Sequence, residues 1–173
     1  MKLRVKEFNI YIDETILIVG VLCLLFKVIR NYFSNYFMCF LFIAFHELSH
    51  MFIASILGIK TTKFNIHISG LCINLEKVEK RGVKWLAIFL AGPLSNAILA
   101  IMFNKIPLVY TINLALAIIN LIPIYPLDGY NILEILLKFL NFKEKSIVFI
   151  QKNTEIMVII ILVILGINQF VIF

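Results

Sequence analysis

The chain has 173 residues, of which 62% are hydrophobic and 15% are charged, and its mean hydropathy is +1.01. Soluble domains are roughly half apolar and about a quarter charged, so this composition excludes an ordinary soluble protein and indicates an integral membrane protein. The net charge of +6 then indicates membrane topology rather than nucleic-acid binding. Cys23, Cys39 and Cys72 form no C-x-x-C pair, which argues against a disulfide framework and a cysteine zinc site.

Long runs with little or no charge predict the membrane-spanning segments. In chain order these runs cover residues 15–33, 36–58, 85–103, 106–127 and 156–173, and a less apolar helical stretch covers residues 130–142. The predicted fold is an all-α polytopic membrane protein with about five to six transmembrane segments. We expect residues 1–173 to form a single membrane-embedded domain without a PDZ or CBS domain.

The distribution of Lys and Arg predicts the orientation of the chain in the membrane. With the N-terminus in the cytoplasm, all of the 16 Lys and Arg residues except Lys27, Arg30 and Lys105 fall on the cytoplasmic side. This assignment treats residues 106–142 as one crossing by a helix that is broken in its middle. The basic N-terminal segment lacks a small-residue cleavage site, so we expect it to be retained.

A different pattern follows the second predicted span. Phe64, Ile66 and Ile68 alternate with polar residues, and Gly70 comes directly before a second apolar run. Period-two alternation around a Ser-Gly turn predicts a short β-hairpin. An edge of this hairpin offers a place for an extended substrate to add as a strand, and Ile66→Pro is the variant chosen to disrupt that edge.

The strongest chemical signal is His46-Glu-Leu-Ser-His50, inside the second predicted span. On a helix, residues four apart lie on one face, so both histidines can bind one metal ion while Glu47 acts beside them as a general base. Ionisable residues inside a span are costly, which favours a functional role. The alternative is a hydrogen-bonded cluster that packs two helices together.

A catalytic zinc site needs a third protein ligand. Asp128 is the only acid in the stretch Asn120-Leu-Ile-Pro-Ile-Tyr-Pro-Leu-Asp-Gly129, and Gly129 lets the chain turn beside it. Two prolines exclude a regular helix there, and irregular backbone at membrane depth is tolerated only where protein buries it or where it lines a wet cavity. Asp128 is the candidate third ligand, and its alternative role is the N-cap of a helix from Tyr130 onwards.

Polar residues in the neighbouring spans complete the candidate site. Water must reach a buried metal from the cytoplasm, so a polar path is required. Ser95, Asn96 and Asn120 can line that path, or they can bridge helices. Asn120 is equally compatible with a hydrogen bond that ends its helix.

These motifs resemble those of the site-2 protease family of intramembrane zinc metalloproteases. The sequence His46-Glu-Leu-Ser-His50 is similar to the zinc-binding helix of that family, and the stretch from Asn120 to Gly129 is similar to the segment that supplies its third ligand. Ala91-Gly-Pro-Leu-Ser-Asn96 is similar to a stretch of the intervening span in many members. The order of the motifs most resembles the bacterial stage IV sporulation factor FB-like branch, which commonly has a glycine and a basic residue where Tyr130 and Asn131 stand.

The resemblance implies a membrane fold of six helices or similar, which cleaves a peptide bond in or near a transmembrane segment of its substrate. It implies one Zn²⁺ per chain at His46, His50 and Asp128, while Asn120 and Pro126 shape substrate access and the broken helix. The implied substrate is a membrane-associated sigma-factor precursor. Regulatory membrane proteins and the lipid bilayer are the other expected partners, with no nucleic acid. The expected location is a bacterial cell membrane, with the N-terminus in the cytoplasm.

Two other classes of protein are compatible with the same residues. A catalytically silent pseudoprotease would bind or shield other membrane spans, although Glu47, which such a protein can lose most cheaply, is present. A metal transporter would also place His and Asp inside the membrane, but the sequence has one such cluster and no repeat symmetry. Glu47→Gln separates the enzyme from the scaffold, and zinc flux identifies the transporter.

Overall fold

In the computed structural model, the described residues are 2–5, 8–12, 27–59, 61–67, 70–75 and 82–171, with side chains described over 36–59 and 82–164. Helices dominate these residues, and a small β-sheet accompanies them. In chain order the elements are β1 (Lys2–Val5), β2 (Phe8–Ile12), α1 (Lys27–Ile56), β3 (Thr61–His67), β4 (Gly70–Leu75), α2 (Val83–Met102), α3 (Pro107–Asn120), α4 (Asp128–Phe139) and α5 (Glu144–Val171).

Helix α1 is longer at its N-terminus than the sequence predicted. It runs without interruption from Lys27 to Ile56, because the segment contains neither proline nor glycine and its polar residues are compatible with a helix. Residues 27–33 of the predicted first span therefore belong to the same helix as the predicted second span, whose residues 36–58 agree with the apolar segment Tyr36–Ile56. Residues 15–26 of the predicted first span lie outside the described residues.

Three of the described helical segments are long and apolar enough to cross a membrane: Tyr36–Ile56, Val83–Met102 and Glu144–Ile164. Helix α3 is apolar but has only 14 residues. At about 1.5 Å per residue it is shorter than a hydrocarbon layer roughly 30 Å thick. Helix α5 begins 12 residues before the predicted last span, since the polar stretch from Glu144 onwards is also helical. The total of about five to six spans stays a prediction.

The broken helix is confirmed. Helix α3 ends at Asn120 and α4 begins at Asp128, so the two prolines lie in a short irregular connection over residues 121–127. The connection is held by backbone hydrogen bonds that include Leu127 N–H to the carbonyl of Ile124 at 2.8 Å. The interruption places Asp128 in the first turn of α4.

The described strands form one four-stranded sheet in the order β1-β2-β3-β4. Strands β3 and β4 pair antiparallel, with Ile66 opposite Leu71, in the segment where the sequence predicted a hairpin. Strand β2 pairs parallel with the other side of β3, so that Ile12 lies opposite Ile66. The strands β1 and β2 were not predicted, although apolar residues alternate along Phe8–Ile12. Because β3 is an inner strand, Ile66→Pro is the wrong variant to probe an edge.

A small apolar core lies next to the histidine helix. Ala54 of α1, Trp85 and Ile88 of α2 and Ile135 of α4 are buried together. The cluster packs three helices against one another near the cytoplasmic end predicted for α1. It therefore fixes the distance between α1, which carries His50, and α2, which carries Ile88. These two residues are also in contact in the site described below.

Candidate metal centre

The structure brings His46, His50 and Asp128 together. One ligand atom from each residue lies within 4.8 Å of the other two. The Nε2 atoms of His46 and His50 are 3.0 Å and 3.1 Å from Oδ2 of Asp128. Both histidines are buried, and Asp128 is largely buried. Two imidazole nitrogens and a carboxylate oxygen that converge in a buried place are the donor set of a catalytic zinc site, so these residues are positioned to bind a metal.

Helix α1 explains why the two histidines act together. They are one turn apart on a regular helix, so both rings leave the same face. The ring centroids are 4.7 Å apart and the ring planes are inclined by 80°. This edge-to-face arrangement directs both Nε2 atoms towards Asp128 while the Nδ1 atoms turn to other partners.

Each histidine has a hydrogen-bond partner at Nδ1, the ring nitrogen that does not face Asp128. Nδ1 of His50 donates a hydrogen bond of 2.7 Å to the backbone carbonyl of Ile88 on α2. Nδ1 of His46 is 2.6 Å from Oδ1 of Asn96, also on α2. A histidine that donates from Nδ1 keeps a lone pair on Nε2, which is the form that binds a metal. Helix α2 therefore orients both rings.

Gly92 allows the backbone of α2 to approach the ligand atoms closely. A Cβ at this buried position would lie 2.5 Å from Nε2 of His46 and would also collide with Nε2 of His50. A residue larger than glycine at position 92 would therefore displace the two nitrogens. The donor set of two imidazole nitrogens and one carboxylate oxygen fits a metal ion.

Gly129 places Asp128 by a close backbone contact. A Cβ at Gly129 would lie 2.5 Å from the carbonyl oxygen of Ile122 and would also collide with that of Leu121. The first turn of α4 therefore packs directly on the chain that follows α3. Leu127 is the N-cap residue and Asp128 is the first residue of the helix, so the alternative N-cap role of Asp128 is wrong. Its carboxylate meets the histidines instead.

The other predicted residues have different surroundings. Glu47 is half-buried next to His46 on α1. Asn96 contacts the site directly through His46. The side-chain amide of Asn120 donates to the carbonyl of Leu116, one turn earlier in α3, which is a helix-ending hydrogen bond. Pro126 is an exposed residue of the connection between α3 and α4. Ser95 donates to the carbonyl of Gly92.

Sequence reasoning missed two buried polar residues around the site. Asn113 of α3 accepts a hydrogen bond of 2.9 Å from the amide of Asn96. Gln151 of α5 donates a hydrogen bond of 3.2 Å to the carbonyl of Tyr130, in the first turn of α4. The signal for Asn113 was present, because an amide in the interior of an uncharged run must find a partner inside the protein. Gln151 lies in a polar stretch, where its burial has no sequence signature.

The comparisons with known proteins agree with this site. Residues 103–165 match the model of Peptidase family M50, a stretch that contains Asp128 and begins after the histidine helix. A zinc metalloprotease of Methanocaldococcus jannaschii is 35% identical over 112 residues, which cover 57% of this chain and 32% of that protein. The chain thus matches about a third of the length of this curated relative.

A solved structure has a similar fold over nearly the whole chain. It is a site-2 protease from Methanocaldococcus jannaschii, with a TM-score of 0.65 and 25% sequence identity. The similarity covers 98% of this chain and 86% of the solved one. The three comparisons thus relate this chain to Peptidase family M50, to a zinc metalloprotease and to a site-2 protease.

Proposed function

We propose that this chain is an intramembrane zinc metalloendopeptidase, which cleaves a membrane-associated or transmembrane protein in or near the bilayer. The observation that carries the proposal is the convergence of Asp128 with His46 and His50, since the two histidines lie on a helix that is long and apolar enough to cross a membrane. A buried carboxylate between two imidazoles is costly at this depth unless a metal compensates it. The proposed stoichiometry is one Zn²⁺ per chain.

The chemistry of the proposed reaction divides between the metal and the chain. Zn²⁺ bound there would polarise the scissile carbonyl and activate a water. Glu47 takes the proton of the attacking water and returns it to the amine of the leaving peptide. The carbonyl of Ile88 and the amide of Asn96 hold the imidazole rings in place during this step. The hydrolysis needs no other cofactor, because water supplies both the nucleophile and the proton.

The depth of the site follows from α1. His50 and His46 precede the C-terminal residue of this helix, Ile56, by six and ten positions. At about 1.5 Å per residue, the two residues lie roughly 9 and 15 Å along the helix from that end. A substrate helix must therefore be unwound locally to reach the site, since a helical backbone is hydrogen-bonded to itself.

We propose that the sheet and the N-terminus lie on the cytoplasmic side of a bacterial cell membrane, in a multi-pass protein. The pairing of β2 with β3 supports a common side for the N-terminus and for residues 61–75, because strands of one sheet cannot lie on opposite sides of a bilayer. The N-terminal segment and the wider segment of residues 60–84 are both rich in Lys or Arg within reach of the predicted spans, which favours the cytoplasm for that common side.

The proposed branch is the stage IV sporulation factor FB-like one, and the proposed substrate is a membrane-associated sigma-factor precursor. The order of the motifs supports it, with the histidine helix followed by a short paired segment and then by the broken helix. We propose that residues 1–173 form a single membrane-embedded domain. Regulatory membrane proteins and lipid are the further partners, and nucleic acid is not among them. The presence of Glu47 disfavours the pseudoprotease alternative.

Comparison of wild-type protein with Glu47→Gln tests the proposed function. Each form is expressed in bacterial membranes, and new protein N-termini in the membrane fraction are quantified by mass spectrometry. We expect cleavage products within or next to transmembrane segments in the wild type and none of them in Glu47→Gln, although that variant keeps its zinc. Glu144→Gln, at the exposed start of α5, is the matched control and should cleave like the wild type. Identical products from Glu47→Gln would reject the proposal.

A further inference from the structure

A chain of hydrogen bonds links the metal site to a helix that supplies no ligand. Nδ1 of His46 is 2.6 Å from Oδ1 of Asn96, and Nδ2 of Asn96 donates to Oδ1 of Asn113 at 2.9 Å. Nδ2 of Asn113 then donates to the backbone carbonyl of Val109, also at 2.9 Å. The chain crosses from α1 through α2 to α3, and both asparagine residues have 0% exposure. Water therefore cannot replace any partner in it.

The donor and acceptor roles along this series of hydrogen bonds are set at the end formed by Val109. The carbonyl of Val109 can only accept, so the amide nitrogen of Asn113 must face it. The oxygen of Asn113 then faces Asn96, which must present its own nitrogen there and its oxygen to His46. An acceptor next to Nδ1 of His46 requires the proton on that atom. Nε2 is left with its lone pair directed at Asp128, as a metal ligand must be.

The two histidines differ in how this proton is placed. His50 donates from Nδ1 directly to the carbonyl of Ile88, which is a fixed acceptor. The partner of His46 is a side-chain amide, and an amide presents either an acceptor or a donor when it rotates by half a turn. Among the residues whose side chains are described, it is the contact with Asn113 that distinguishes the two orientations of Asn96. The position of the proton on His46 therefore depends on Asn113, a residue that does not contact His46.

We infer that Asn113 is a positioning residue for the metal centre: by fixing the orientation of Asn96, it holds His46 in the form that can bind a metal ion. The inference rests on the proposed metal site, and it adds a determinant of metal affinity on a helix that carries no ligand. Without an acceptor at position 113, Asn96 is free to turn its nitrogen towards His46. Nδ1 must then accept, and the proton moves to Nε2, where it competes with the metal.

The test measures zinc affinity in purified protein by competition with a chelator of known affinity. Asn113→Leu keeps the approximate shape of the side chain and removes the acceptor. We expect it to bind zinc up to about 10–100-fold more weakly, because Asn96 is then no longer held as the outer acceptor of His46, and loss of such a partner usually costs that much. Asn113→Asp is the conservative variant: its carboxyl group offers Asn96 an acceptor whether or not it is protonated, so zinc affinity should stay close to that of the wild type.

A second background separates orientation from general packing. In Asn96→Asp both side-chain oxygens accept, so rotation of the group no longer matters to His46. In that background Asn113→Leu should weaken zinc binding little further. Thr154→Val removes a side-chain hydrogen bond to a backbone carbonyl on α5 and is the control for loss of such a bond far from the site.

Three results would overturn the inference. One is unchanged zinc affinity in Asn113→Leu, and another is an equal loss of affinity in the wild-type and Asn96→Asp backgrounds. The third result applies if the single variant Asn113→Leu does not fold. If Asn96→Asp then binds zinc and the double variant Asn96→Asp with Asn113→Leu does not, Asn113 serves packing only. Because zinc affinity is measured without cleavage, a wild type that binds zinc but cleaves nothing would reject the protease proposal and leave this inference standing.

Discussion

The two halves of the metal site are built in different ways. His46 and His50 lie on an unbroken helix and are oriented by the hydrogen bonds that they donate to α2. Asp128 follows an interrupted helix and is placed by the close contact of Gly129 with the carbonyl of Ile122. The histidine half thus depends on side-chain hydrogen bonds, and the aspartate half depends on the path of the backbone.

This difference predicts different responses to substitution. On the histidine side, a changed contact should alter metal binding while the helices stay packed, because the contacts involve the ends of side chains. On the aspartate side, a changed contact must move backbone, and both the fold and the metal site should suffer. Two glycines, Gly92 and Gly129, test the two halves with the same added methyl group.

Gly129→Ala should have the largest effect. Its Cβ would collide with backbone carbonyl oxygens that cannot rotate away, so the start of α4 must shift. Overpacking of this kind costs about 1–3 kcal/mol or more, and the shift would carry Asp128 away from the histidines. We expect a lower thermal unfolding midpoint in detergent together with loss of bound zinc. A variant with both wild-type stability and wild-type zinc content would contradict the backbone account.

Gly92→Ala should affect the metal and spare the fold. Its Cβ would meet the ends of the two histidine side chains, which can rotate away without displacing the backbone of the helices. The expected result is loss of zinc at a nearly unchanged unfolding midpoint, measured on zinc-free protein. If Gly92→Ala destabilises the zinc-free protein as much as Gly129→Ala does, the two halves do not differ as described.

Asp128→Asn should weaken zinc binding without displacing the backbone. The amide keeps the shape of the side chain but removes the negative charge that compensates a divalent ion. We expect affinity to fall by at least about 100-fold, since loss of an outer partner alone costs about 10–100-fold. Chelator competition on the folded variant provides the measurement. Wild-type affinity in Asp128→Asn would mean that another group is the third ligand.

Gln151→Leu should have the smallest effect. The buried amide of Gln151 ties α5 to the carbonyl of Tyr130, two residues beyond Asp128. Its removal should lower the free energy of unfolding by about 1 kcal/mol and weaken zinc binding only slightly, because the close contact at Gly129 remains. Urea unfolding of the zinc-free protein measures the first effect. A loss of zinc as large as that in Asp128→Asn would show that α5 helps to place the aspartate.

The histidine half could be predicted from the sequence because its geometry is local. A spacing of four residues on a helix is sufficient to put His46 and His50 on one face. The helix break was also predictable, since Pro123 and Pro126 are incompatible with a regular helix. The meeting of Asp128 with the histidines was inferred by considering which acid could reach them, and the structure confirms that meeting.

The remaining features depend on contacts between distant segments. The partnership of Asn96 with Asn113 joins two helices, and no local pattern specifies which buried amide meets which. The N-terminal strands lie beside β3 only because the intervening chain returns to it. The uninterrupted helix from Lys27 to Ile56 was missed because hydropathy marks the boundary of an apolar run, whereas a helix can continue through polar residues.

The most direct test of the site is the zinc content of detergent-purified wild-type protein measured beside His46→Ala. Elemental analysis should give close to one zinc per chain in the wild type, and none in His46→Ala at an unchanged helix content. A folded wild type that binds no zinc even when zinc is supplied during purification would contradict the account. Equal zinc in His46→Ala would contradict it as directly, because the metal would then lie elsewhere.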